Sequence, residues 1–78
     1  MIIYCFDLKV ESLKKYNTVK RRFYYDLNKI NILKSVWRTK SVILAPEEKE
    51  IEFDTFFSKY KDYTTLFKGK ISLLERVY

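Results

Sequence analysis

The chain has 78 residues, one cysteine and no histidine, so we expect a single small domain without an internal disulfide. The same counts exclude a zinc site of the usual nitrogen and sulfur type and any catalysis by a histidine base. A single glycine and a single proline exclude the glycine-rich phosphate loops of ATPases, kinases and dinucleotide-binding proteins.

The net charge of +6 is distributed unevenly along the chain. Residues 9–40 hold ten Lys or Arg against two carboxylates, whereas residues 41–54 hold five carboxylates against one Lys. Cations gathered in one half of a small domain indicate a polyanionic partner, most simply a nucleic acid. A generally Lys-rich, soluble surface is the alternative interpretation.

No segment of the sequence predicts a membrane partner. The longest uninterrupted apolar run is Met1–Phe6, far shorter than the roughly 20 residues that a membrane span needs. No basic segment precedes this run and no small-residue cleavage site follows it, so we do not expect a signal peptide. The expected location is the cytoplasm.

Met1–Leu8 is predicted to be a strand from its Ile and aromatic residues. Both of its faces are largely apolar, which favours a central strand covered on both sides, with Asp7 near its carboxyl end. From Glu11 to about Ile30 the period changes to steps of three and four, which predicts a helix that stops at Asn31. The apolar stripe of this helix is Leu13, Tyr16, Val19, Phe23, Leu27 and Ile30.

Two short strands are predicted at Leu33–Arg38 and Ser41–Ala45, with Thr39-Lys40 as the turn between them. Pro46 and the carboxylates after it predict the start of a second helix. Residues 61–70 are predicted to be a loop or a frayed helix end, and Ile71–Tyr78 a last strand. The apolar side of the second helix is predicted to be Ile51, Phe53, Phe56, Phe57 and Tyr60.

The order β-α-β-β-α-β predicts one α+β domain over residues 1–78 with the ferredoxin-like arrangement. In that arrangement a four-stranded antiparallel sheet carries two helices on one face. The other face would be bare, and apolar if Cys5 and Trp37 point there. A second copy of the chain would cover such a face, so we expect a homodimer. A base-stacking ligand is the second kind of partner that this face would suit.

Asp7 is the first candidate for chemistry. A carboxylate that follows several buried strand residues needs a hydrogen-bonded turn, a cation or a metal ion. Mg²⁺ commonly uses one or two carboxylates with water and phosphate, so one Asp7 from each subunit of a dimer could share an ion. The alternative interpretation is that Asp7 only accepts hydrogen bonds from the loop at Lys9–Ser12.

The polar side of the first helix is the second candidate. Its cations could follow a row of phosphates, with Arg forming bidentate bonds and Lys acting as a point charge. No base-reading pattern is visible, so binding would tolerate any base sequence. An ordinary solvated helix face is the alternative. The candidate residues are Lys14, Lys15, Arg21, Arg22, Tyr25 and Lys29.

With these residues in hand, the chain resembles the small ferredoxin-like CRISPR-associated endonucleases of antiviral defence, the family that dimerises and bridges integrase subunits during spacer acquisition. It also resembles their virulence-associated ribonuclease relatives. The opening MIIYCFDL is similar to the first strand of that family, a basic amphipathic helix follows, and Ser35-Val36-Trp37 is similar to its second strand.

The resemblance implies a homodimer with a Mg²⁺-dependent phosphodiesterase site at its axis and an integrase subunit as a further partner. Asp7 would be the catalytic residue and metal ligand, and Ser35, Trp37 and Arg38 would line the neighbouring nucleic-acid surface. DNA and RNA both stay open as the bound polymer. The competing hypothesis is a non-catalytic interaction protein that assembles through its apolar sheet face.

Overall fold

The computed structural model describes residues 1–30, 36–73, 75 and 77–78, with the backbone alone at 36–38. The protein is α+β, with a short 3₁₀ turn before its second helix and another before its last strand. Within the described residues, no helix is long and apolar enough to cross a membrane. The elements are β1 (Ile2–Leu8), α1 (Leu13–Lys29), β2 (Val36–Thr39), β3 (Val42–Ala45), α2 (Glu50–Lys59) and β4 (Thr64–Lys70).

The strands form one antiparallel sheet in the order β2-β3-β1-β4. β1 pairs with β4 along its whole length, from Ile2 opposite Lys70 to Leu8 opposite Thr64. Its pairing with β3 is shorter and ends at Cys5, which lies opposite Val42. The interior position predicted for the first strand is therefore confirmed, and its carboxyl end extends beyond β3.

Both helices pack on the same face of the sheet, as the sequence predicts. The Tyr4 ring centroid lies 5.4 Å from that of Phe53 on α2, and the Phe6 centroid lies 5.4 Å from that of Phe23 on α1. Because side chains alternate along a strand, Ile2, Tyr4 and Phe6 share this inner face. The buried cluster also includes Leu27, Ile43, Ala45, Phe56, Phe57 and Tyr60.

The opposite face of the sheet, which we call the outer face, is only partly covered. Cys5 is half-buried, Asp7 is exposed, and Phe67 on β4 keeps 71% of its surface accessible, although Leu44 is fully buried. The expectation that β1 is covered on both sides is thus wrong at its carboxyl end. The reason is that α1 and α2 both lie on the inner face.

The last strand lies at Thr64–Lys70, where a loop or frayed helix end was expected. Met1 and Ile71 exchange hydrogen bonds through their main-chain nitrogen and oxygen atoms, at 3.0 and 2.9 Å. The chain has therefore reached the amino end of β1 at Ile71, where the pairing of β1 with β4 is already complete. The prediction of a strand at Ile71–Tyr78 is wrong for the described residues of that segment.

Two residues predicted on apolar stripes are exposed instead. Leu13 keeps 76% of its surface accessible, because α1 inserts Phe23 and Leu27 into the core and its first turn lies outside it. Ile51 is 81% exposed because it precedes Phe53 by two residues, or about 200° around the helix, and so faces away from the core.

The second and third strands agree with the sequence in order but not in extent. The turn between them is at residues 40–41, one residue later than Thr39-Lys40, and the register between β2 and β3 shifts between Trp37 and Thr39. That irregularity accommodates the later turn. The predicted helix stop at Asn31 and the start of the second strand at Leu33 lie outside the described residues.

Candidate nucleic-acid interface

The geometry of α1 fixes which of its sides meets solvent. Ser12 is the N-cap: its Oγ accepts a hydrogen bond from the Lys15 backbone N–H at 3.1 Å. This bond satisfies one of the donors that the first turn of a helix leaves without a partner. On the inner side, Phe23 and Leu27 are fully buried. The helix is therefore held with its polar side outward.

All six helix residues that the sequence proposes for nucleic-acid binding are exposed on α1, and we call this set the basic face. Tyr25 keeps 63% of its surface accessible among the surrounding cations. At 1.5 Å per residue, Lys14 and Lys29 lie about 22 Å apart along the helix axis, roughly the rise of six base pairs. The basic face consists of Lys14, Lys15, Arg21, Arg22, Tyr25 and Lys29.

The positive charge of α1 is left uncompensated by the fold. The helix has six Lys or Arg and one carboxylate, Asp26, which accepts a hydrogen bond from the Tyr60 hydroxyl. Among the described residues, none of these cations forms an ion pair. Three of them lie over aromatic rings: Lys29 at 4.3 Å from the Tyr25 centroid, Lys15 at 5.1 Å from that of Tyr63 and Lys20 at 5.8 Å from that of Tyr16. Such contacts orient the ammonium groups and leave their charge in place.

The charges at the start of α1 oppose the helix dipole. The first turn contains Lys14 and Lys15 and no acidic residue, although the exposed N–H groups there favour negative charge. The positive end of the helix dipole therefore adds to the charge of Lys14 and Lys15 at this end of the basic face. A bound anion would relieve the repulsion, so this end of the basic face is suited to a phosphate group.

Two carboxylates of the acidic segment after β3 are paired with a lysine of β4. Lys68 on β4 places its Nζ 2.5 Å from Glu50 Oε2 and 2.7 Å from Asp54 Oδ2. The Tyr4 hydroxyl donates a hydrogen bond to Asp54 Oδ1 at 2.9 Å. Burial together with this bond to Asp54 raises the pKa of Tyr4, and hydrogen bonds to Asp54 and Glu50 raise the pKa of Lys68. These carboxylates thus hold α2 to the sheet.

Asp7 lies on the outer face, opposite Thr65 of β4, and is exposed. Among the described residues, no hydrogen bond or ion pair engages its carboxylate. The Lys9 N–H, which was expected to serve it, instead donates to the Tyr63 carbonyl at 2.7 Å, and Ser12 caps α1. The interpretation of Asp7 as a turn acceptor is therefore wrong for the described residues.

A single subunit provides few ligands for a metal ion at this point of the outer face. The described residues contain no cluster of three or more His, Cys, Asp or Glu side chains, so Asp7 would be the single carboxylate. One carboxylate fits Mg²⁺ only if water and phosphate complete the shell, or if another subunit supplies a second Asp7. Asp7 also lies outside the basic face, which is on the solvent side of α1.

The three remaining sequence candidates cannot be placed in a site. Ser35 lies outside the described residues. Trp37 and Arg38 belong to β2, where the backbone pairs Trp37 with Ile43 of β3.

A cavity of about 490 Å³ lies beside α1, where β1 extends beyond β3, and no pattern in the sequence predicts it. α1 supplies one wall, the turn between β2 and β3 supplies another, and the end of β1 forms the floor. These three segments are distant in sequence, so only the tertiary structure brings them together. The residues that line it include Phe6, Leu8, Tyr16, Lys20, Tyr24 and Lys40.

Comparison of the chain with models of known protein families, with curated proteins and with solved structures found no match. The functional argument therefore rests on the charge and geometry of the chain itself.

Proposed function

We propose that this protein binds nucleic acid, holding the phosphate backbone on the basic face of α1. The observation that carries the proposal is the set of six cations on one helix, none of which forms an ion pair among the described residues. Fold stability does not explain this arrangement, because the cations in the first turn oppose the helix dipole.

The chemistry of the basic face favours backbone contacts over base reading. Arg21 and Arg22 can each present a planar fork to phosphate oxygens, and the Lys side chains supply mobile point charges. Binding of this kind releases counterions and weakens as salt rises. Since phosphates carry no sequence information, we expect little preference among base sequences.

We propose in addition that the fold is ferredoxin-like, akin to the small CRISPR-associated endonucleases, and that the protein is a homodimer. The element order and the position of β1 between β3 and β4 support the fold proposal. The partly covered outer face, with Phe67 exposed, supports the second copy.

Cleavage is a separate step from binding in this proposal. Asp7 lies outside the basic face, because its side chain leaves β1 on the outer face, at the edge of the cavity beside α1. A Mg²⁺ ion at Asp7 would need water and phosphate, or a second copy of Asp7, to complete its shell. Binding without cleavage is therefore the function that the geometry favours.

The test is a salt titration of DNA and RNA affinity for the wild type and for the double variant Arg21→Glu with Arg22→Glu. We expect the variant to lose at least about tenfold in affinity and to show a log–log salt slope lower by about 2. The matched control is Lys61→Glu with Lys70→Glu, the same charge change on exposed lysines away from α1. Equal losses of affinity in the two double variants would show that net charge alone determines binding, and would overturn the proposal.

Cleavage is measured on the same samples with Mg²⁺ added, for the wild type and Asp7→Asn. We expect both proteins to bind equally and neither to cut. Cutting by the wild type alone would establish a metal-dependent nuclease with Asp7 at its centre, and would restore the activity that the resemblance implies.

A second candidate function, assembly of a non-catalytic scaffold through the outer face, is favoured by the exposed Phe67 ring. It differs from nucleic-acid binding in its response to salt, because apolar contacts are not screened.

A further inference from the structure

We infer that the cavity at the end of β1 takes one unstacked base of a single-stranded nucleic acid whose phosphates lie on the basic face. This inference rests on the proposed function and names its preferred ligand. With about 490 Å³, the cavity falls within the range of about 300–1,000 Å³ of small-molecule sites.

The lining of the cavity is suited to a planar aromatic ring. Tyr16 and Tyr24 line it about two turns apart on α1, roughly 12 Å along the helix axis, and Phe6 lies at its floor. Both tyrosines are half-buried. Packing therefore holds each side chain in position while part of it stays accessible. Every base has a π-face, and stacking on such side chains does not depend on base identity. The cavity would therefore extend the sequence tolerance of the basic face.

The charge at the border of the cavity matches a nucleotide. Lys20 and Lys40 are both exposed there, and Lys20 holds its Nζ 5.8 Å from the Tyr16 ring centroid. Asp7 is the one carboxylate among the described lining residues, so cations are in excess. These two ammonium groups could contact the phosphates on either side of an inserted base. Arg21 precedes Tyr24 by three residues, which makes the two neighbours on the helix surface, so the basic face begins beside this border.

The walls of the cavity are tied together before any ligand arrives. The Tyr24 hydroxyl donates to the Lys40 carbonyl at 3.2 Å and thereby links α1 to the turn between β2 and β3. The Phe6 N–H donates to the Ser41 carbonyl at 3.0 Å, which closes the pairing of β1 with the second wall. A site held in this way loses less entropy on binding than one that must assemble around its ligand.

The floor also offers main-chain groups to a base edge. Main-chain groups of successive residues in an antiparallel strand point alternately to the two neighbouring strands. Because Phe6 bonds toward β3, Leu8 also directs its N–H and carbonyl to that side, where β3 has ended. The Leu8 N–H and carbonyl thus supply one donor and one acceptor at the floor of the cavity, and the edges of the bases carry both donors and acceptors.

This geometry selects single strands over duplexes. A base inside a duplex is stacked and paired, and moving it into a cavity costs a few kcal/mol that an unpaired base does not need. A duplex can therefore reach the basic face but not the cavity, whereas a single strand can use both.

The experiment measures fluorescence anisotropy with three labelled DNA ligands of 12 nucleotides: a single strand, its duplex, and a strand of the same length built from abasic residues. Wild-type protein should bind the strand with bases at least about fivefold more tightly than the abasic strand. Tyr16→Leu should lower affinity for the strand with bases by at least about fivefold and change the other two affinities by less than about twofold. Thermal unfolding verifies that the variant is folded.

A second pair of variants keeps the test decisive if Tyr16→Leu is poorly folded. Lys40→Gln, at the border of the cavity, should weaken single-strand binding more than Lys61→Gln, which removes the same charge elsewhere. Equal affinity of the wild type for the abasic strand and the strand with bases would overturn the inference while leaving the proposed function intact. No salt-sensitive binding of any of the three ligands would overturn both.

Discussion

At the scale of single residues, two tyrosine hydroxyls connect the aromatic core to carboxylates at its border. Tyr4 donates to Asp54, and Tyr60, which is 5% exposed, donates to Asp26. The Tyr60 hydroxyl would otherwise be buried without a partner, the Tyr4 hydroxyl also lies 3.3 Å from the Glu50 carbonyl oxygen, and each carboxylate gains a neutral donor. The aromatic core of this small domain is thereby fixed at two points, one on each helix.

These bonds predict a loss of stability at alkaline pH. Burial and the bond to Asp26 raise the pKa of Tyr60 from 10.0 to about 12. Between these values the unfolded chain loses a proton that the folded protein keeps, so the free energy of unfolding falls as pH rises. The contribution of Tyr60 is complete below pH 10 and is lost as pH rises through about 12. Urea unfolding followed by circular dichroism between pH 8 and pH 12 measures this decline.

Tyr60→Phe should reduce this decline, because phenylalanine has no proton to lose. The variant should also be less stable at neutral pH, by about 1 kcal/mol, since the hydrogen bond to Asp26 is gone. Tyr25→Phe is the matched control: its ring is 63% exposed on α1, so we expect the wild-type pH dependence. The same decline in Tyr60→Phe as in the wild type would contradict the assignment.

At the scale of elements, α1 places charge where it costs helix stability. Ser12 caps the helix, yet the position three residues later holds Lys15 where a Glu or Gln would complete a capping box. Lys14 adds a second cation to the same turn. Only the C-terminal Lys29 agrees with the helix dipole. This conflict between local stability and charge placement is what a binding surface would require.

Lys15→Glu should therefore stabilise the protein and weaken nucleic-acid binding in the same molecule. We expect the free energy of unfolding to rise by about 0.5 kcal/mol, after loss of the contact between Lys15 and the Tyr63 ring is included. Affinity for DNA should fall, because a phosphate contact is replaced by repulsion. Urea unfolding and anisotropy on the same preparations give the two quantities.

Lys29→Glu provides the comparison, since it makes the same charge change at the other end of the basic face. There the substitution opposes the dipole, so stability should fall while affinity also falls. If Lys15→Glu raises stability and Lys29→Glu lowers it while both variants lose affinity, then the effect of these lysines on helix stability is separate from their effect on nucleic-acid binding. If both substitutions lowered stability, the capping argument for Lys15 would be wrong.

The elements that sequence reasoning identified are those defined by local periodicity. α1 was predictable because its apolar residues, Phe23 and Leu27 among them, recur at helical spacing. β4 was not, because Lys68, Gly69 and Lys70 obscure its alternation, and its pairing with β1 joins opposite ends of the chain. The segment Ile71–Tyr78 is richer than β4 in residues that favour strands. The composition of a segment does not show, however, that β1 is already paired with β4.

At the scale of the whole molecule, the basic face lies on the solvent side of α1, and the Asp7 side chain leaves the sheet on the outer face. The basic face could be predicted, since neighbouring turns of one helix decide it. The sequence did not predict the position of Asp7 away from that face or the cavity between Tyr16 and Lys40, because both depend on how distant segments pack. Two surfaces of different chemistry on one small domain suggest two partners, a polyanion at α1 and a protein at the outer face.

The outer face leads to the last prediction, which concerns assembly. Phe67 lies opposite Cys5 on this face and is 71% exposed, and an aromatic ring of this kind is a frequent anchor of interfaces. We expect sedimentation equilibrium at micromolar concentration to show a dimer that persists when salt is raised to about 0.5 M, because apolar contacts are not screened.

Phe67→Glu should shift that equilibrium to the monomer, since two-fold symmetry would bury the new charge twice. Ile51→Glu is the matched control, because Ile51 is 81% exposed on α2, on the other side of the sheet, and its substitution should leave the dimer intact. A wild-type monomer, or equal effects of the two substitutions, would rule out the outer face as the interface, and with it a metal site shared by two copies of Asp7.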